Sequence, residues 1–64
     1  MFKKVKFIGA DGSMGLRHGK RYWARVYKNR RNGLFYVEWF KNLLEMNLCP
    51  YESIDKVKEN WSLM

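Results

Sequence analysis

The chain has 64 residues, 47% of them hydrophobic and 17% aromatic, with a formal net charge of +7. That length supports one domain with one core burying roughly 60% of the surface the unfolded chain exposes, and the aromatic content excludes a disordered chain. A single cysteine, Cys49, excludes an internal disulfide, and a single histidine, His18, leaves no zinc ligand set, so stability rests on packing and no metal or other cofactor is expected.

The charge is unevenly spread. Residues 1–33 hold ten Lys/Arg and one acid, Asp11, whereas residues 34–64 hold three bases and five acids. The first half is therefore an electrostatic surface whose expected partner is polyanionic. The opening Met1-Phe2-Lys3-Lys4 has the charge of a signal peptide, but the segment from Val5 to Gly9 carries Lys6 and is too short for its apolar region. No apolar run approaches the length of a membrane span, so the expectation is a cytoplasmic protein without a membrane partner.

Lys4 to Ile8 alternates basic and apolar residues, which predicts a half-buried strand with Val5 and Phe7 on one face. Gly9 to Gly19 holds four of the five glycines with Asp11 and Ser13, and reads as a long ordered loop pinned to the core by Leu16 and Met14. Arg21 to Lys28 and Leu34 to Lys41 are rich in aromatic and β-branched residues, and Asn32-Gly33 between them predicts a hairpin with a type I′ turn. In that register Tyr27 opposes Glu38 and Arg25 opposes Phe40. One face collects Tyr22, Ala24, Val26, Phe35, Val37 and Trp39; the other collects Trp23, Arg25, Tyr27, Tyr36, Glu38 and Phe40. A four-residue loop from Arg30 to Gly33 keeps the same two faces.

For Asn42 to Tyr51, Leu43 and Leu44 continue a stripe with Trp39 and Phe40 that suits a short helix. Met46, Leu48 and Pro50 instead alternate as in an edge strand, and the reading favoured is a loop followed by a short strand. Ser53 suits a helix N-cap, Asp55 the first turn, and Ile54, Val57 and Trp61 fall at i, i+3 and i+7, predicting a docked helix over about 54–62. The expected fold is mainly β: a small barrel or strongly bent antiparallel sheet over about 4–52, with a short C-terminal helix, all in one domain.

The run Gly15-Leu16-Arg17-His18-Gly19-Lys20-Arg21-Tyr22 is preceded by Val5-Lys6-Phe7-Ile8-Gly9. It is followed by Tyr36-Val37-Glu38 and by Cys49-Pro50-Tyr51. Together these segments resemble small Src-homology-3-like proteins of Gram-positive bacteria and their phages, in which a Gly-Leu-x-x-Gly-Lys-x-Tyr loop leads into the second strand. The resemblance spans roughly Val5 to Ile54 and implies a barrel and a bacterial or phage setting; the density of Arg and Lys departs from it, and the terminal helix is an addition.

Nucleophilic catalysis would have to draw on Cys49 or Ser13 with His18, and nothing in their spacing asks for it. Cys49 beside Pro50 reads as a small core hydrophobe and His18 as a turn residue. Asp55 and Glu59 beside Lys56 and Lys58 read as solvated helix charges, and the glycines lack phosphate-loop spacing. The expectation is a non-enzymatic binding module.

The constellation that carries chemistry is Lys20, Arg21, Trp23, Arg25 and Tyr27 on the second strand, Arg30 and Arg31 at the hairpin tip, and Tyr36 and Phe40 on the third strand. Interleaved cations and rings suit single-stranded nucleic acid: cations neutralise phosphates and bases stack on exposed rings. The competing structural reading packs Trp23 or Phe40 under the long loop or the terminal helix, leaving the cations to solubilise. The alternative function is capture of an acidic host-protein surface through Trp23 and an Arg rim. The expected state is a monomer or weak dimer, with self-association through a sheet edge or the trailing Leu63-Met64 as a third use of the exposed rings.

Overall fold

The computed structural model describes residues 1–63; Met64 and the side chain of Ser13 lie outside the described part. Four strands follow one another as an antiparallel meander: β1 (Lys3–Phe7), β2 (Arg21–Lys28), β3 (Phe35–Asn42) and β4 (Glu45–Tyr51). Helix α1 (Ile54–Asn60) then leads into β5 (Trp61–Ser62), which pairs antiparallel with β1 and gives the order β4-β3-β2-β1-β5. The mainly β fold with a short helix near its C-terminus is thus present.

Strand parity builds the core. Val5, Phe7, Tyr22, Ala24, Val37, Trp39 and Cys49 share the inner face, and Leu16, Val57 and Trp61 close over it from the long loop, α1 and β5. The rings meet edge to face: Tyr22 with Trp39 at 5.2 Å, Phe7 with Trp61 at 5.1 Å and Tyr22 with Trp61 at 6.1 Å between centroids. Their polar atoms are answered locally. Trp61 Nε1 donates to Tyr51 Oη at 3.0 Å, Trp39 Nε1 to Cys49 Sγ at 3.2 Å, and Tyr22 Oη accepts from the Arg17 amide at 3.0 Å. Among the described residues no buried side-chain nitrogen or oxygen lacks a partner.

The loop between β1 and β2 is ordered by backbone bonds: the Gly19 amide donates to Phe7 O at 2.6 Å, and the Gly12 amide to Leu16 O at 2.7 Å. Asp11 Oδ1 accepts from the His18 amide, and His18 Nδ1 lies 3.0 Å from Gly9 O, so His18 is a turn residue. Leu16 is the buried pin. Met14 is half exposed, with only its sulfur reaching inward, 3.4 Å from Cys49 Sγ.

Three expectations are corrected. The β2–β3 register is shifted by two residues: Arg25 opposes Glu38 and Tyr27 opposes Tyr36, because the turn is a four-residue loop from Arg30 to Gly33. Gly33 takes the left-handed conformation (φ +73°) while Asn32 does not, so a type I′ pair is absent; the Asn29 and Asn32 side chains accept from the Arg31 and Leu34 amides instead.

Residues 42–51 are a tight hairpin rather than a loop and a short strand. Asn42 pairs with Glu45 across Leu43-Leu44, Asn42 Oδ1 accepts from the Leu44 amide at 2.9 Å, and a bulge between Phe40 and Asn42 absorbs the mismatch in register. Pro50 is tolerated because β4 is an edge strand. Finally, the helix ends at Asn60. Ser53 caps it by accepting from the Lys56 amide and Val57 is its buried residue, but Trp61 is extended (φ −135°) and reaches the core from β5.

Candidate functional site

The outer face of the sheet carries the residues of opposite parity. Lys4 of β1 pairs with Trp23 of β2, and across β2 and β3 Arg25 pairs with Glu38 and Tyr27 with Tyr36. On the far side Phe40 pairs with Met46 and Glu38 with Leu48 of β4. Because α1 and the long loop cover the inner face, Trp23 stays 50% exposed, and neither element packs over it.

At the end of this face near the β3–β4 turn lies an open groove of about 620 Å³. Phe2, Tyr22, Trp23 and Phe40 supply its rings, and Lys4, Lys20, Arg21 and Lys41 its cations; among the described residues no carboxylate lines it. Phe2 and Phe40 brace each other at 5.1 Å, which half-buries Phe40 while leaving it in the groove. The Lys4 ammonium lies 5.7 Å from the Trp23 ring centroid, so cation and ring form one surface.

The other expected residues do not join this groove. Arg25 is held by the Glu38 carboxylate and lies 5.4 Å from the Phe2 ring and 5.2 Å from the Tyr27 ring, so its charge is answered internally. Tyr27 and Tyr36 stack on each other at 5.6 Å and 26°, and Tyr36 Oη accepts from Asn32 Nδ2. Both are half-buried. Arg30 and Arg31 are exposed at the β2–β3 tip, at the opposite end of the hairpin from the groove. The expected single stripe is therefore two separate basic regions with a neutralised middle.

Sequence reasoning missed Phe2, Lys4, Lys41 and Leu43. The signal for Lys4 was present, since its alternation with Val5 already places it on the outer side, but which strand β1 would pair with is not a local property. Of the acids of the second half, Glu38 pairs with Arg25 on the outer face and Glu45 begins β4 beside the β3–β4 turn, while Asp55 and Glu59 are on α1, where Glu59 pairs with Lys56 at 3.5 Å.

Cys49 is buried against Trp39 and Met14, and among the described residues no hydrogen bond joins it to His18. Burial pushes the Cys49 thiol up, only partly offset by hydrogen bonds with Trp39 and Tyr51, and burial pushes the Tyr51 phenol up as well. A thiol held protonated is a poor nucleophile. Among the described residues no group of His, Cys, Asp and Glu is placed to hold a metal ion, and no helix is long and apolar enough to cross a membrane. Comparison of the chain with family models, curated proteins and solved structures finds no match.

Proposed function

We propose that the chain is a non-enzymatic binding module whose outer-face groove takes single-stranded nucleic acid. The observation that carries this reading is the lining: four aromatic residues and four cations, with no acid among the described residues that line it to repel a phosphate. Unpaired bases stack on one-sided ring surfaces of this kind, and the cations release counterions from the backbone. A duplex, with its bases already stacked inward, would engage the cations and leave the rings unused.

The test is fluorescence anisotropy of a labelled single-stranded oligonucleotide titrated with protein from low to moderate salt. Four phosphate contacts predict a log–log slope of affinity on salt of about −3, at about −0.7 per contact. Lack of binding at the lowest salt would refute the reading.

A second reading is supported by Arg30 and Arg31, which stand exposed at the far tip and outside the groove. There they suit an acidic protein surface, including a host protein if the chain is phage-borne. A pull-down from bacterial lysate with and without nuclease separates the two, because a protein partner persists after nuclease treatment. The Src-homology-3-like assignment belongs to the same proposal; it is supported by the meander of four strands with β5 returning beside β1. The proposal places the module in the bacterial cytoplasm as a monomer or weak dimer.

A further inference from the structure

The β3–β4 turn exposes Leu43 and Leu44 to 96% and 98%, at the position where a two-residue hairpin turn ordinarily carries Asn, Asp or Gly. The turn is a fixed one. The Asn42 side chain closes it onto the Leu44 amide, and the paired strands β3 and β4 stand beneath it. Leu43 also lines the groove beside Lys41, so the apolar tip and the ring-and-cation surface are continuous.

We propose that Leu43 and Leu44 form a wedge that seats against the open end of a base stack, so that the groove's preferred ligand is a single strand at its junction with duplex. This rests on the reading of the groove as a single-strand site. Apolar side chains inserted at base steps cover ring faces that water otherwise meets, and Leu is one of the residues used in this way. Lys41, Arg21, Lys20 and Lys4 line the same groove as Leu43, where the phosphates of a strand leaving the junction would meet them. A flat anionic lipid surface would meet Lys41 beside the tip as well, but it would also meet Glu45, which directly follows Leu44, and it would offer the groove's rings no base to stack on.

The experiment compares three DNA probes: a duplex with a single-stranded overhang, the overhang strand alone, and the blunt duplex. 2-Aminopurine at the last base pair reports loss of stacking. The wild-type chain is expected to bind the overhang duplex about tenfold more tightly than the overhang strand alone, the equivalent of one stacked base, with a rise in 2-aminopurine fluorescence. The variant Leu44→Ser is expected to bind the strand within about twofold of wild type and to lose the junction preference, because Leu44 lies outside the groove lining and its exposed side chain carries no core packing.

Strand binding without junction preference in the wild-type chain overturns the wedge and leaves the groove reading intact. Equal loss of both affinities in Leu44→Ser also overturns it, by making the tip part of the general strand site. No binding to any probe overturns the groove reading and the wedge with it. Leucine-dependent sedimentation with vesicles of anionic phospholipid, in the absence of a junction preference, overturns the wedge in favour of a lipid surface.

Discussion

Trp39 and Trp23 lie on adjacent strands of one sheet and differ in parity: Trp39 is fully buried on the inner face, and Trp23 is half exposed on the outer. The same side chain does two jobs according to what covers it. On the inner side the long loop, α1 and β5 bring Leu16, Val57 and Trp61 down onto the strands. On the outer side Lys4 lies over Trp23, and α1 and the long loop, folded to the inner side, leave the ring open. In a chain of 64 residues one closed face is what a single core can fill, and the second face is left open to solvent.

The sharpest way to break this comparison is to truncate both tryptophans. Trp39→Ala is expected to cost about 3–5 kcal/mol, enough to unfold much of a domain this small, whereas Trp23→Ala should cost under about 1 kcal/mol. Urea unfolding of both variants checks it, and a comparable loss from Trp23 would mean that the outer face is core. In binding the ranking reverses: Trp23→Ala should weaken single-strand affinity by about 1–3 kcal/mol, and Tyr27→Ala by less, because Tyr27 is already stacked on Tyr36.

Smaller effects separate the two ends of the outer face. Lys20→Ala and Arg21→Ala are each expected to reduce the salt slope by about 0.7, and Arg30→Ala with Arg31→Ala to change it by less than either. Glu38→Gln releases Arg25 at a stability cost of up to about 1 kcal/mol and should steepen the slope if the freed guanidinium meets phosphate. An unchanged slope would show that Arg25 stays bound to Phe2 and Tyr27.

The smallest effect concerns the inner face alone. Burial raises the Cys49 thiol, so the neutral form is favoured in the folded chain. Its contribution to stability is complete below the ordinary thiol range and is lost as pH rises through the raised value; Tyr51 acts in the same direction. The urea midpoint should therefore decline at alkaline pH above the ordinary thiol range, and a flat midpoint there would contradict the burial of Cys49.

Side-chain parity was legible in the sequence because alternation survives an error in turn length: loops of two and four residues differ by an even number, so the β2–β3 faces came out right while the pairs shifted by two. What a residue pairs with was less legible. Arg25 could not be assigned to Glu38 rather than Phe40 without the turn geometry, and the turn hinges on Asn29, Asn32 and Gly33 acting together. Phe2 and Lys4 join the groove through the β1–β2 pairing, a contact across a 13-residue connection that no local pattern encodes. Leu43 and Leu44 were hidden for the opposite reason, since adjacent leucines read as core and only Asn42 marks the turn. Trp61 sits at helical spacing from Ile54 and Val57, yet it enters the core from a strand.

The central claim is that the groove around Trp23, and not the hairpin as a whole, meets a single strand. An amide chemical-shift map on adding a short single-stranded oligonucleotide tests it most directly. Lys4, Lys20, Arg21, Trp23, Phe40 and Lys41 are expected to move together while Tyr27, Tyr36 and the inner-face residues other than Tyr22 stay in place. Shifts centred on Arg30 and Arg31, or on α1, with the groove silent, would contradict it.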